Sequence, residues 1–359
     1  MSRIGIRADG GAGVGMGHVM RCMSLARNFN KNGHKVYFLS KLSAGIAVIE
    51  REGFSVARLS DDKEVIGLNS SIDTLGLDNE LHVVINLLKR YEIDILIVDS
   101  YNVSEKHFIS LKQHVDKLVY IDDENKLCIP ADVIINGNLT AEYLGYRKYN
   151  NNQILLLGPQ YNLIREEFKD VPSRIINETV ESVMITTGGS DSFNITKKLL
   201  EMLLKVDCFS NVKFNVLVGS GFTHVDNLVD LSKRNPGIRL FSNQGVNHFT
   251  EIQYSSVSDL MLNSDIAISA GGSTLYEFAA CGIPVLTFIL AENQRFLVEK
   301  MSELGYLINL GWHHELDDML VVNCLRLLID DVDKRIEMSR RCQRLVDAGG
   351  AARVVRALT

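Results

Sequence analysis

His18 is the side chain best suited to chemistry in this sequence. It directly follows a loop with glycines at 10, 11, 13, 15 and 17. A helix starting near Gly17 aims its unpaired N–H groups and positive dipole end over that loop. Such an end is an anion site, and it holds a histidine neutral, the form a general base needs. Arg7 and Asp9 precede the loop, Gly15 and Gly17 lie in it, and Arg21 and Cys22 follow on the expected helix. The run is not a dinucleotide fingerprint, because His18 stands sixth when counted from Gly13. It is not a P-loop, because it has no lysine.

A second group lies in the other half of the chain. Ser269-Ala-Gly-Gly-Ser-Thr-Leu-Tyr-Glu277 runs from a strand into a helix, and Gly282-Ile-Pro284 leads on to the next strand. Backbone N–H groups of Gly272, Ser273 and Thr274 at a helix start suit a diphosphate. Glu277, three residues after Thr274, stays on the same helix face. Gly188-Gly189-Ser190-Asp191 and Asn293-Gln294 stand at further expected strand exits, as do Asp99 and Tyr101 in the first half.

Positioning these groups requires an alternation of strands and helices. Strands are expected at Ile4–Ala8, Lys35–Leu39, Asp94–Asp99, Lys117–Ile121 and Asp132–Asn136, and the run Gln153–Leu157 with Gly158-Pro159 precedes a polar region. In the second half they are expected at Ser182–Thr187, Val212–Val218, Asp265–Ser269 and Ile283–Phe288. The apolar run Ile95–Val98 is typical of a parallel strand buried on both faces. Ser60–Asn79 reads as loop and Glu80–Tyr91 as helix. The class is α/β with mainly parallel sheets, and 359 residues suit two domains. The expected organisation is 1–164 as a Rossmann-like catalytic domain, 165–181 as a crossing, 182–345 as a nucleotide-binding domain and 346–359 as a tail. Ligands of such sheets bind beyond the carboxyl ends of the strands.

Two resemblances follow from these residues. The Ser269–Pro284 segment resembles the nucleotide-sugar segment of two-Rossmann (GT-B) glycosyltransferases, in which two such domains face each other across a cleft. That resemblance implies a diphosphate at Gly272–Thr274, a ribose on Glu277, and sugar or diphosphate contacts from Asn293 and Gln294. In the first half, Arg7, Asp9, Gly15, Gly17, His18, Arg21 and Cys22 closely resemble the opening of the UDP-sugar hydrolases of pseudaminic acid biosynthesis and the related spore-coat polysaccharide proteins. Asp99-Ser-Tyr101, Ile121-Asp-Asp123, Gly158-x-x-Tyr161-x-Leu-Ile-Arg165-Glu-Glu-Phe168 and Thr187–Asp191 extend the match over most of both halves. The family resemblance implies metal-independent removal of UDP from UDP-2,4-diacetamido-2,4,6-trideoxy-β-L-altropyranose, with water attacking the anomeric carbon and configuration inverting. It implies His18 as base and Tyr101 as helper. Asp9 could fix the His18 tautomer or bind a sugar group, and Arg21 could reach substrate or stay on the helix surface. Arg165, Gly188, Gly189 and Ser190 are further expected substrate contacts. Departures exist: Ser100 stands where some members have histidine, and the loop at 10–13 differs from a serine-rich version. The rival readings are a glycosyltransferase with an acceptor in place of water, and a non-catalytic nucleotide-sugar-binding partner protein.

Composition excludes other classes. The net charge of −6 gives no basic field for nucleic acid. No apolar stretch nears the roughly 18 residues that span a bilayer, and the opening reads as a strand rather than a signal peptide. The six cysteines form no C-x-x-C pair and the nine histidines no H-E-x-x-H spacing. The expectation is a cytoplasmic enzyme with a UDP-sugar substrate, without cofactor, metal, nucleic-acid partner or membrane insertion, and with monomer as a plausible state.

Overall fold

The computed structural model describes residues 1–11, 14–59, 75–219, 221–242 and 256–359, the side chains of 75–79 excepted. Most of the expected polar loop, residues 60–74, lies outside the described residues, as do positions 12, 13 and 220. The chain divides into two compact units, 1–165 with 349–359, and 166–348.

The first unit runs β1 (Arg3–Ala8), α1 (Gly17–Lys31), β2 (Lys35–Ser40), α2 (Ser43–Arg51), β3 (Ser55–Arg58), α3 (Leu75–Tyr91), β4 (Ile95–Asp99), α4 (Glu105–Lys112), β5 (Lys117–Ile121), β6 (Val133–Asn136) and β7 (Ile154–Leu157). Among the described residues its strands form one parallel seven-stranded sheet in the order β3-β2-β1-β4-β5-β6-β7. Chain order reverses between β1 and β4, which is the switch point where ligands of doubly wound sheets bind. The register sets Ala8 beside Asp99, and Asp99 beside Ile121. Both sheet faces are covered. Ile4, Ile6, Ile97 and Ile135 pack with α1 residues Val19, Cys22 and Phe29. Leu96, Val98 and Leu118 pack on the other side with Phe108.

The second unit runs β8 (Ser182–Thr186), α5 (Ile195–Leu203), β9 (Lys213–Val218), α6 (Val225–Arg234), β10 (Ile238–Ser242), α7 (Val257–Leu262), β11 (Ile266–Ala270), α8 (Thr274–Cys281), β12 (Val285–Ile289), α9 (Glu292–Glu303), β13 (Ile308–Trp312), α10 (Asp318–Asp330) and α11 (Val332–Gln343). Its described strands form a parallel sheet in the order β10-β9-β8-β11-β12-β13. That order repeats the first six strands of the first unit, with its switch point between β8 and β11 and no counterpart of β7 among the described residues.

Besides the unexpected edge strands β3, β7, β10 and β13, three features depart from the sequence reading. The helix expected from Glu80 already begins at Leu75. Residues 166–181, expected as a crossing, run with the second unit. There the buried Arg335 donates to the carbonyls of Leu328, Ile329, Asn177 and Glu178 at 2.6–2.8 Å, which ties this segment to the end of α10. The tail forms α12 (Gly350–Leu358) and returns to the first unit, where Val354, Val355 and Leu358 join the core under α1. The backbone comes so close at Gly350 that an added Cβ would lie 2.1 Å from the Asn162 carbonyl oxygen.

Candidate functional site

In the first unit the strand exits carry charged side chains, and these are joined to one another. His18 sits in the first turn of α1, and its Nδ1 lies 2.6 Å from Asp99 Oδ1 at the end of β4. Arg21, one turn further along α1, grips the same carboxylate with Nε on Oδ2 and Nη2 on Oδ1, both at 2.7 Å. The remaining arm of Arg21, Nη1, donates to both oxygens of Asp123 at 2.8 and 2.9 Å. Asp123 also accepts from the Tyr101 hydroxyl at 2.9 Å and from Asn138 Nδ2 at 2.8 Å. The Tyr101 ring stands edge-on to the His18 ring with centroids 4.8 Å apart.

The electrostatics follow from burial and pairing. Burial opposes a charge on Asp99, yet Arg21 and His18 beside it hold its carboxyl far below the usual range. Burial also opposes the Arg21 charge and is outweighed by Asp123 and Asp99. Burial, followed by Asp123, pushes the Tyr101 phenol up, so it stays a neutral hydrogen-bond donor. Burial and the Asp99 charge raise the Cys22 thiol, which donates to Asp99 Oδ2 at 3.4 Å.

Arg7 and Asp9 are in a different cluster. Arg7 is buried at the end of β1 and pairs with Asp9 and with Glu80 of α3, each at 2.7 Å. The other Asp9 oxygen accepts from the Ser40 hydroxyl at 3.1 Å and the Lys41 N–H at 2.7 Å. Asp9 is therefore not the carboxylate on the imidazole; Asp99 is. In the glycine loop, Gly11 and Gly15 exchange backbone hydrogen bonds of 3.0 and 2.9 Å. Those two N–H groups are used within the loop and are not offered to an anion. Gly17 opens α1, with space around its Cα. Arg165 ends the main segment of the first unit and is half-buried.

The second unit's strand exits are built from backbone. Gly188 follows β8 with φ of +90° and donates its N–H to Thr186 Oγ1 at 3.1 Å. Gly189 and exposed Ser190 continue the turn, which Thr187 Oγ1 closes by donating to the Ser190 carbonyl. Asp191 accepts from the N–H groups of Ile195 and Thr196 and so caps α5. Gly219, after β9, lies against this turn: a Cβ there would meet the carbonyl oxygens of Gly188 and Gly189 at 2.5 Å. After β11 come Gly271 and Gly272, and α8 then starts from Ser273 without a side-chain cap. Thr274 opens α8, and Glu277 is half-buried in its first turn. Asn293 is exposed on the first turn of α9, while Gln294 Oε1 accepts from the Leu290 N–H at 2.9 Å and braces its own loop. Among the described residues no group of three or more His, Cys, Asp or Glu side chains could hold a metal ion, and no helix is long and apolar enough to cross a membrane.

Sequence reasoning noted Asp99 at a strand exit and Asp123 in the family match but gave neither a role, and it did not single out Asn138. The signal for Asp99 was a carboxylate ending an otherwise apolar buried strand, where a charge needs a partner. Asn138 gave no such signal.

No protein-family model matches the chain. A 306-residue stretch is 30% identical to an uncharacterised protein of Methanocaldococcus jannaschii, covering 82% of this chain but only 57% of that protein. The spore coat polysaccharide biosynthesis protein SpsG of Bacillus subtilis is 22% identical over 98% of this chain and 96% of its own. The UDP-2,4-diacetamido-2,4,6-trideoxy-β-L-altropyranose hydrolase of Campylobacter jejuni is 24% identical over 84% of this chain and 96% of its own. Among solved structures, MurG of Acinetobacter baumannii superposes with a TM-score of 0.67 at 11% identity, over 99% of this chain and 98% of that one. The calicheamicin glycosyltransferase CalG4 gives 0.66 at 13% identity, over 100% and 97%. Two parallel-sheet α/β domains of the GT-B type thus carry a sequence homologous to proteins named as a UDP-diacetamido-altropyranose hydrolase and as spore coat protein SpsG.

Proposed function

We propose that the chain is a UDP-sugar hydrolase, releasing UDP and free sugar from a UDP-linked 2,4-diacetamido-2,4,6-trideoxy sugar by a metal-independent, inverting route. The observation that carries this reading is His18, held at the start of α1 beside the switch point of the first sheet, with one ring nitrogen bound to a buried carboxylate. The relatives' names support the substrate class.

In this reading water forms a bond to the anomeric carbon while its proton passes to His18. The bond from that carbon to the diphosphate oxygen breaks, and its electron pair leaves with UDP. The imidazolium then returns its proton to solvent. UDP is a good leaving group, so the second unit's task is to stabilise developing charge on the diphosphate. N–H groups at the α8 start (Gly272, Ser273, Thr274) and the Gly188–Ser190 turn serve that end. Glu277 accepts from the ribose hydroxyls. Arg21 is committed to two carboxylates, so its part is to hold the site rather than to bind substrate.

A second reading, glycosyl transfer to an acceptor, draws support from the GT-B neighbours. Incubating the protein with UDP-diacetamido-sugars in oxygen-18 water, with no acceptor present, separates the two. Hydrolysis puts the label in the free sugar and none in UDP. UDP release only after an acceptor alcohol is added would establish the transferase. Calorimetric binding of the UDP-sugar with no turnover under either condition would establish a binding protein.

A further inference from the structure

We infer that Asp99 is the positioning residue of this site: it keeps the His18 proton on Nδ1, leaves Nε2 as the nitrogen that accepts one, and is itself fixed by a clamp of Arg21 and Asp123. The choice of Nε2 as acceptor in a reaction rests on the hydrolase reading; the placement of the proton does not.

A neutral imidazole carries one N–H and one lone pair. Nδ1 is 2.6 Å from an oxygen of Asp99. Two lone pairs do not approach so closely, whereas an N–H facing a carboxylate makes a short charge-assisted bond. The proton sits on the ring because Asp99 is fully buried and held far below the usual carboxylate range by Arg21 and His18. Arg21 Nη2 also lies 3.3 Å from Nδ1, but a guanidinium only donates, and that nitrogen already has Asp99 Oδ1 at 2.7 Å. Nδ1 is therefore the protonated nitrogen and Nε2 carries the lone pair.

The carboxylate has no freedom to turn. Its two oxygens receive the planar Arg21 fork, His18 and the Cys22 thiol. Arg21 is pinned from its far side by Asp123, which also takes the Tyr101 hydroxyl and the Asn138 amide. These partners come from the ends of β4, β5 and β6 and from α1, so four elements meet on one hydrogen-bonded chain. The charges also favour the reaction. Two carboxylates flank one guanidinium, which leaves a deficit of one positive charge while the ring is neutral. A proton arriving on Nε2 fills that deficit, so the imidazolium formed when water is deprotonated is stabilised where it arises.

Nitrogen-15 NMR of the imidazoles in the full chain, with the His18 signal assigned by its loss in His18→Gln, tests the placement directly. The expected wild-type result is a protonated Nδ1 with a far-downfield proton and an unprotonated Nε2. In Asp99→Asn the ring is expected to become a tautomer mixture, and kcat to fall by about 10²–10⁴-fold with KM changed little. Asp123→Asn is expected to give a smaller loss of the same kind. A wild-type His18 protonated on Nε2 overturns the proposal whether or not Asp99→Asn folds. So does an Asp99→Asn protein that keeps both the wild-type tautomer and its kcat. Wild-type Nδ1–H together with no UDP release from any UDP-sugar would overturn the hydrolase reading and leave the positioning intact.

Discussion

The two units share a strand order and a switch point, but what emerges there differs in kind. At the exits of the first sheet the groups are side chains: His18, Arg21, Asp99, Tyr101, Asp123 and Asn138, each tied to another. At the exits of the second the groups are mainly backbone: glycine turns at 188–189, 219 and 271–272, and an uncapped helix start. A buried charge network is tolerated only when every member is satisfied, and this makes it rigid. A proton acceptor needs that rigidity. A bare helix start carries no such desolvation cost and presents N–H groups to any compact anion. Under the proposed function, proton transfer calls for the first kind of exit and holding a diphosphate for the second, so one topology used twice would divide the work by side-chain content.

The sharpest way to break this division is His18→Ala. Turnover should fall by about 10²–10⁴-fold, while calorimetry finds UDP affinity within a few-fold of wild type, because the residue belongs to the first unit. A variant that lost UDP binding as well would show that the two roles are not separate. Next in size is Glu277→Ala. Losing a charge-assisted hydrogen bond of about 1.5–3 kcal/mol should weaken UDP by roughly ten- to hundredfold, with the pH dependence of turnover unmoved. Unchanged UDP affinity would remove Glu277 from the ribose.

Gly271→Ala tests the backbone side of the comparison. Its Cβ would lie 2.3 Å from Val298 Cγ2, on the face where α9 packs against the β11 exit. Overpacking of this kind costs about 1–3 kcal/mol and pushes α9 away from the loop. A lowered urea midpoint and weaker UDP binding, with His18 imidazole resonances unchanged, is the expected result. Full stability would mean that the loop is looser than the close contact at Gly271 implies.

How much of this was legible depends on where the physics is local. The strands Ile95–Asp99 and Ile266–Ala270 are apolar but for Asp99 and Ser269, because both sheet faces are covered, and such runs stand out. None of the four sheet-edge strands, β3, β7, β10 and β13, was among the expected strands. The edges admit Ser55, Arg58, Arg239 and Gly311, which weaken the pattern. His18 and its glycines could be read as a unit because they are adjacent in sequence. Asp99 could not be paired with it from 81 residues away, since only the placing of β4 beside β1 brings them together. Asp9, nine residues before His18, was nearer in sequence. It exits β1 toward Ser40 and Lys41 of the neighbouring strand end instead.

That difference between the two aspartates gives the smallest effect. Asp9→Asn removes the partner of a buried arginine, but Arg7 keeps Glu80, and the Asp9 side chain is 22% exposed. The expected loss of stability at pH 7 is about 1–2 kcal/mol, below the roughly 3–5 kcal/mol of a fully buried broken pair. Turnover should suffer far less than in Asp99→Asn. Burial opposes the Asp9 charge, but Arg7 and its hydrogen bonds hold the folded carboxyl below its ordinary value. A group with a depressed folded value stabilises the fold above its unfolded pKa and loses that contribution as pH falls through the folded one. Wild type and variant should therefore differ most near neutrality and converge below pH about 4. Both should still weaken in acid, because Asp99 shifts in the same direction and remains in the variant. Urea unfolding at pH 7 and pH 3 measures this. Circular dichroism is the suitable probe, since the single tryptophan, Trp312, lies in the second unit. A gap of equal size at the two pH values would mean that Asp9 acts by shape rather than by charge. The contrast between a structural aspartate and a positioning one would then have to rest on the imidazole spectra alone.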